Sequence, residues 1–400
     1  MKGVLIMTDK NEIITEFIKL YGGDSSDVRV FSSPGRVNLI GEHTDYNGGF
    51  VFPAALLQSS TVAVRKTDTG VIRIAATDLP DRVCLDIEKL GEYKNIKWGN
   101  YQAGVAYVMQ QEGFYIQSCD ILYNDTVPFG AGLSSSAAIE VVMSLVIAQF
   151  SYEKGVTDKP NMIQLAKLSQ KAENIYCGVN CGIMDQFASA MGRKNHAIFL
   201  DCKDLSFKYV PLDLNGYKIV IGNTNKKRSL AESKYNERRS QCEEALSQLK
   251  LAYPEAECLR DITAEQFEDS KTLIINDICR MRAEHVIYEC DRVLKSVEAL
   301  EADDIRAFGN LMTASHISLR DLYEVTGDHL DIMVEESLAI EGCIGSRMTG
   351  AGFGGCTVSI VADYALDSFI AEVGRNYESR TGIVPAFYVT EAGDGGREIC

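Results

Sequence analysis

The sequence predicts an α+β fold in two domains. Three observations carry this. The chain has 400 residues, more than one compact core usually holds. Strand-like and helix-like periodicities mix through its first half. Its second half reads as helices with a few strands rather than as repeated βαβ units. The domain change is placed at Asn215-Gly216, a turn pair ahead of a strand, giving domains 1–215 and 216–400.

Taken in order, Asn11 to Tyr21 has apolar residues at 13, 14, 17, 18 and 20, a helical stripe stopped by Gly22-Gly23. Val28 to Phe31 alternates as a strand leading into a loop. Phe50 to Ala55, Ser60 to Lys66 and Val71 to Ala76 read as strands, with Asp68, Thr69 and Gly70 as a turn. A helix is expected over Tyr101 to Gln111, then a strand over Cys119 to Tyr123 and a long apolar helix reaching Phe150. Asn161 to Tyr176 carries Leu165, Leu168, Ala172 and Ile175 on one stripe, and Met184 to Met191 is a shorter helix. Ala197 to Leu200 and Phe207 to Val210 form a strand pair, and Lys218 to Gly222 is a further strand. Ser229 to Leu249, Asp277 to Ala299 and Asp331 to Glu341 are helical; Thr357 onwards and Ala386 to Thr390 are strands. Lys226, Lys227 and Arg228 read as a solvated turn. The stretch from Ala252 to Lys271 is acidic and irregular, with no assignable chemistry.

Composition excludes several partners. Hydrophobic residues make up 46% and charged residues 24%, as in an ordinary globular protein. The longest apolar run, Ala137 to Phe150, is broken by Glu140, Ser144 and Gln149, short of a membrane span. The apolar stretch before Thr8 is too short for a secretory signal, so a cytoplasmic location is expected. A formal charge of −16 argues against nucleic acid and anionic lipid, but leaves room for ATP bound by local N–H groups. Twelve cysteines lie scattered without CxxC pairs, and Cys177 and Cys181 have no neighbouring histidine; free thiols in a reducing compartment are expected.

Two segments carry chemistry of their own. Ser32 to Gly49, SSPGRVNLIGEHTDYNGG, packs Arg36, Glu42, His43 and Asp45 between glycines and a proline. Carboxylates paired with a histidine on a tightly bent backbone suit a neutral polyhydroxyl ligand; a solvated turn with incidental charges is the alternative. Val127 to Ala138, VPFGAGLSSSAA, places Gly130, Gly132 and three serines, Ser134, Ser135 and Ser136, at a helix start, which is an anion site. Simple helix capping needs only one serine. A Walker loop is excluded because no Gly-Lys pair occurs, and the protein-kinase HRD and DFG triplets are missing. Gly350 to Gly355 satisfies G-x-G-x-x-G, but with a helix expected before it and a strand after it, the dinucleotide reading fails on context.

Gly35 to Gly49, GRVNLIGEHTDYNGG, resembles the signature of the galactokinases, within the wider family of homoserine, mevalonate and phosphomevalonate kinases. Pro128 to Ala137 is similar to that family's nucleotide loop, and MTGAGFGGC to its third motif. The resemblance implies a two-domain small-molecule kinase fold, with an N-terminal domain like S5 domain 2, a ferredoxin-like C-terminal domain and the active site in the cleft between them. It implies ATP and Mg²⁺, with Gly130, Ala131, Gly132, Leu133, Ser134, Ser135 and Ser136 around the phosphates and Ser136 and Glu173 on the metal. By itself, Glu173 reads as an exposed helix carboxylate. Asp185 and Arg36 would be the catalytic pair, with the aspartate orienting and finally accepting the hydroxyl proton. Arg36, Glu42, His43, Thr44, Asp45, Gly182 and Tyr235 would hold the sugar, although Tyr235 alone reads as an ordinary helix residue. Trp98 and Tyr101 are candidates for an adenine pocket. The implied reaction converts galactose and ATP to galactose 1-phosphate and ADP in a monomeric enzyme. A kinase of N-acetylgalactosamine or arabinose, or a non-catalytic galactose sensor, are the rival readings; the intact serine loop and Asp185 speak against the sensor.

Overall fold

The computed structural model describes residues 9–96, 98–128, 130–226 and 231–400. The apolar stretch before Thr8, Phe129, and Lys227 with Arg228 lie outside them. The elements in chain order are α1 (Lys10–Tyr21), β1 (Arg29–Asn38), β2 (Phe50–Val51), β3 (Pro53–Lys66), β4 (Val71–Ala76), β5 (Leu79–Asp86), α2 (Asn100–Gln111), β6 (Cys119–Asp125), α3 (Ser135–Glu153), α4 (Met162–Ala172), α5 (Met184–Met191), β7 (His196–Asp201), β8 (Phe207–Pro211) and β9 (Tyr217–Asn223). Then follow α6 (Ala231–Leu249), α7 (Ala264–Ser270), α8 (Asp277–Glu301), α9 (Ile305–Ser318), α10 (Asp328–Leu338), β10 (Cys343–Thr349), β11 (Cys356–Ala362), α11 (Leu366–Thr381), β12 (Ala386–Thr390) and β13 (Arg397–Glu398).

The first sheet runs β13-β1-β3-β6-β4-β5, antiparallel except where β4 lies parallel to β6. β1 continues through Pro34-Gly35, where a loop is expected from sequence. A register shift between Pro34 and Arg36 lets the strand carry a proline without breaking the ladder. At Gly35 a Cβ would stand 2.5 Å from the Leu133 carbonyl oxygen, so only glycine lets β1 approach the serine segment this closely. The Arg36 N–H donates to that same carbonyl at 3.0 Å. The two strands expected over 50–55 and 60–66 are largely one, because β3 runs unbroken from Pro53.

α3 is apolar on almost every face. By length and composition it could cross a membrane, yet 72% of its apolar window is buried inside the fold, which makes it a core helix. It packs with α2 and α4 against the sheet around Val62, Ile72, Ile121, Val142 and Leu165.

The second sheet has the order β10-β11-β9-β12 and is antiparallel throughout. The path from β9 through helices to β10 and β11, then through α11 to β12, is the β-α-β-β-α-β course of a ferredoxin-like layer. We propose the domain change at Asn215-Gly216, where the chain enters this sheet. The tail from Ala392 onwards nevertheless returns to the first sheet, where β13 pairs with β1. One apolar cluster spans both halves, bringing Val37, Phe52 and Leu133 together with Ile219, Val297, Phe308 and Val358.

Sequence patterning misses several elements. β10, CIGSRMT, and β5, LPDRVCLD, lack clean alternation. The acidic 252–271 stretch is a strap rather than a free loop. Arg260 pairs with Asp201 and covers the Phe50 ring at 4.5 Å, Lys203 meets Asp261 at 2.9 Å, and Leu259 and Phe267 enter the core of α6 and α8.

The tail also fastens α5. Gly395 N donates to the Gly192 carbonyl at 2.8 Å, and Gly396 N to Ser189 at 2.9 Å. A Cβ at Gly395 would collide with the Ala190 carbonyl. Gly395→Val should therefore cost about 2–3 kcal/mol and lower the calorimetric melting temperature by several degrees. An unchanged melting temperature would show that the tail does not hold α5.

Candidate active site

A cleft of about 1500 Å³ opens between the two halves of the chain. Its centre is a buried guanidinium. Arg36 leaves β1 just past the bulge and gives both Nε (2.8 Å) and Nη2 (2.6 Å) to Asp185 Oδ1. Its Nη1 donates to the Gly132 carbonyl at 2.8 Å. Asp185 stands in the first turn of α5, and its Oδ2 accepts from the Ser134 hydroxyl at 2.5 Å. Ser134 adopts a left-handed conformation (φ 58°) and makes no side-chain capping bond to α3. The hydroxyl of this serine serves Asp185 rather than the helix start. Ser135 and Ser136 line the cleft at the helix start, where first-turn N–H groups lack intrahelical partners.

The turn after β1 forms another wall. Arg347 Nη2 meets Glu42 Oε2 at 2.7 Å; burial pushes the Glu42 carboxyl up, and Arg347 and Arg36 oppose that. His43 takes a left-handed backbone (φ 62°). Its Nδ1 is 2.8 Å from the Tyr46 hydroxyl, which is in turn 2.8 Å from that of Tyr323. Its ring lies between Tyr235 and Tyr323, with centroids at 5.6 and 4.9 Å. Burial, then the nearby His285, pushes the His43 value down to about 3, so the imidazole is neutral. Its Nε2 is buried with no hydrogen-bond partner among the described residues. Burial, then the charge of Asp185, pushes Asp45 up to about 7. A Cβ at Gly182 would overlap the Asp45 carboxylate, so this glycine lets α5 close on the turn.

Glu173 lies in a π-helical turn, Glu173–Cys177, not on an exposed helix face. Gln186 Nε2 donates to Glu173 Oε2 at 2.6 Å and to Glu140 Oε2 at 3.0 Å. Burial and Asp185 bring Glu173 up to about 7. Ser136 and Glu173 share the cleft wall, and hydroxyl plus carboxylate is a donor set for a hard divalent cation. Among the described residues no three His, Cys, Asp or Glu side chains converge into a protein-only metal cage.

The structure thus gathers Arg36, Glu42, His43, Asp45, Gly130, Gly132, Ser134, Ser135, Ser136, Glu173, Gly182, Asp185 and Tyr235 on one cleft, with Trp98 and Tyr101 along it. Three expected residues are not on its wall. Thr44 is turned inward, its hydroxyl donating to the carbonyls of Gly41 (2.9 Å) and Phe50 (2.7 Å). Ala131 and Leu133 send their side chains into the shared apolar cluster, which leaves them only backbone groups to offer. The third glycine segment links β10 to β11, so a strand precedes it where a helix was expected; Gly350 and Ala351 reach the cleft. Sequence reasoning missed Arg347, Glu289, His285 and Tyr323, which support the turn from behind. The only hint was an arginine just ahead of the third motif.

Family models match in register with this architecture: the galactokinase galactose-binding signature over residues 15–66, the GHMP kinases N terminal domain over 100–193 and the GHMP kinases C terminal over 296–379. Fold and cleft together define a small-molecule kinase of the GHMP class. A mevalonate kinase structure matches the fold at a TM-score of 0.64 with 20% identity, covering 90% of this chain and 98% of that one. Similarity is much greater to galactokinases: 48% identity to that of Clostridium tetani, covering 97% of each chain, and 44% to that of Bacillus subtilis, covering 94% of this chain and 96% of that one. The crystal structure of Lactococcus lactis galactokinase complexed with galactose superposes at a TM-score of 0.92 with 38% identity, covering 97% of this chain and 99% of that one. The chain belongs to the galactokinase family.

Asp45 makes the stability of the ligand-free protein pH-dependent. Its folded value of about 7 lies above that of an unfolded aspartate, so the native chain holds the proton more tightly. Stability contributed at pH 4 is therefore lost as pH rises towards 7. The melting temperature should fall between pH 5 and pH 8, and Asp45→Asn should flatten that slope. Identical slopes for the two proteins would contradict this.

Proposed function

We propose that this chain transfers the γ-phosphoryl group of ATP to the anomeric hydroxyl of galactose, giving galactose 1-phosphate and ADP. One observation carries the reading: the Arg36–Asp185 pair stands between a carboxylate- and histidine-bearing turn on one side and a triple-serine helix start on the other. The turn offers Glu42, the neutral His43, Asp45 and the Gly182 backbone to a ring of hydroxyls, and Tyr235 closes over it. The helix start offers Gly130 to Ser136 to a triphosphate. Trp98 and Tyr101 extend the same wall towards the nucleotide base.

Phosphoryl transfer passes through a loose transition state, so positioning and charge stabilisation matter more than early deprotonation. Asp185 is anchored on both oxygens, by Arg36 and by Ser134, which suits orienting the attacking hydroxyl and accepting its proton late. Arg36 supplies positive charge between nucleophile and γ-phosphate. Ser136 and Glu173 would hold Mg²⁺, which when bound neutralises charge on the β- and γ-phosphate oxygens. The wall of the cleft comes from both halves of one chain, so we read the enzyme as a monomer. Among the described residues no disulfide forms, which suits a reducing compartment such as the cytoplasm.

Replacing Asp185 by Ala should lower turnover about 10²- to 10⁴-fold in an ADP-release assay with galactose, ATP and Mg²⁺. Near-normal turnover would remove Asp185 from the chemistry. In the same assay galactose should outpace N-acetylgalactosamine and arabinose, and EDTA should stop the reaction. A faster 2-acetamido sugar would overturn the substrate assignment, and no ADP release with any sugar would favour a sensor.

A further inference from the structure

Arg347 sits in the middle of β10 with its side chain fully buried and off the cleft wall. Its guanidinium is divided between two groups of the first domain. Nη1 donates to the Asn38 carbonyl at 2.8 Å, and Nη2 to Glu42 Oε2 at 2.7 Å. Glu42 does line the cleft.

Other parts of the second half hold the backbone of the same turn. Glu289 on α8 accepts from Gly41 N at 2.9 Å and, at longer range, from Glu42 N at 3.4 Å. It is itself fixed by Arg292 at 2.6 Å and Ser315 at 2.5 Å. His285, also on α8, lies with Nε2 3.1 Å from the Glu42 carbonyl and Nδ1 2.8 Å from the Ser318 hydroxyl. With Nε2 donating to the carbonyl, Nδ1 accepts from the serine. Glu42 is thus gripped at its carboxylate, its N–H and its C=O by residues far away in sequence.

A neutral sugar hydroxyl is a weak partner. A carboxylate can recognise it strongly only if it is desolvated, stays ionised and does not swing. Burial supplies the desolvation but opposes the charge, and a buried countercharge bonded to the carboxylate works against that opposition while fixing its direction. Arg347 stands in that place. We propose that Arg347 is a positioning residue for sugar recognition, holding the Glu42 carboxylate charged and aimed into the cleft from the second domain. This rests on the reading of Glu42 as a sugar ligand. A merely structural ion pair would also cost stability when broken, but it would not act on one substrate alone.

Steady-state kinetics and melting curves of full-length Arg347→Met, Arg347→Lys, Glu42→Gln and the double variant Glu42→Gln/Arg347→Met test this. Arg347→Met should raise the galactose KM about 10- to 100-fold and leave the ATP KM within about twofold, with Arg347→Lys in between because it keeps the charge but loses the fork. The double variant should bind galactose no worse than Glu42→Gln alone, since Arg347 acts through Glu42. If Arg347→Met does not fold, the Lys variant and the double variant, which removes both charges, decide on the same criteria. Unchanged galactose KM in the Arg347 variants, alongside a raised one in Glu42→Gln, overturns the proposal and leaves the sugar reading of Glu42 intact. Equal rises in both KM values, or multiplicative losses in the double variant, also overturn it. An unchanged galactose KM in Glu42→Gln itself removes the sugar reading, and the proposal with it.

Discussion

The fork of Arg36 is the contact on which the site depends. One buried guanidinium satisfies the Gly132 carbonyl of the serine loop and the Asp185 carboxylate of α5, while its own N–H holds the Leu133 carbonyl. Two separate segments, the serine loop and α5, are therefore referenced to one residue on a strand of the first sheet. A strand is a stiffer mount than a loop, and a planar fork fixes direction as well as distance. The glycine beside it matters equally, because no larger residue would let β1 touch the loop.

Around that centre the fold sorts charge by burial and partnership. His43 and His285 are buried near other positive groups and held neutral, at about 3 and about 4. Asp45 is buried beside Asp185 and raised to about 7. Burial alone would raise Glu289 too, but Arg292, His285 and Arg347 bring it to about 2. Two buried carboxyls are thus driven in opposite directions by the charges beside them, Asp45 on the cleft wall and Glu289 behind it. On the wall the buried His43 Nε2 has no partner among the described residues, whereas Glu289 behind it is held by Arg292 and Ser315.

The two halves are not independent bodies joined by a linker. An apolar cluster runs through both, the acidic strap lies against β2 and β7, and the tail returns to β1 and α5. Each of these contacts closes a long loop of chain, and the tail braces β1 and α5, which carry Arg36 and Asp185 on the cleft. The turn after β1 belongs to the first domain by sequence, but the polar groups holding it come mainly from α8 and β10.

Residues close together in the chain were legible without a structure. The Gly35–Gly49 and Val127–Ala138 segments show their residue types and spacing directly, because a tight turn and a helix start are local events governed by glycine freedom and unpaired N–H groups. Helical stripes such as that of α1, and strands such as β4 and β9, were legible for the same reason. What remained hidden was non-local. β10 carries glycine, serine and arginine in a buried strand, and only its neighbours α9 and β11 make that tolerable. Thr44, Ala131 and Leu133 sit inside their motifs, yet point away from the cleft, because the side-chain direction is set by packing and not by spacing. Arg347, Glu289 and His285 acquire their role from a turn some 250–300 residues earlier in the chain. The sequence by itself determined which chemistry the chain carries; the tertiary structure decided which charges stand paired behind the cleft and which face it, because Coulomb and desolvation energies depend on distance and burial that only the folded chain defines.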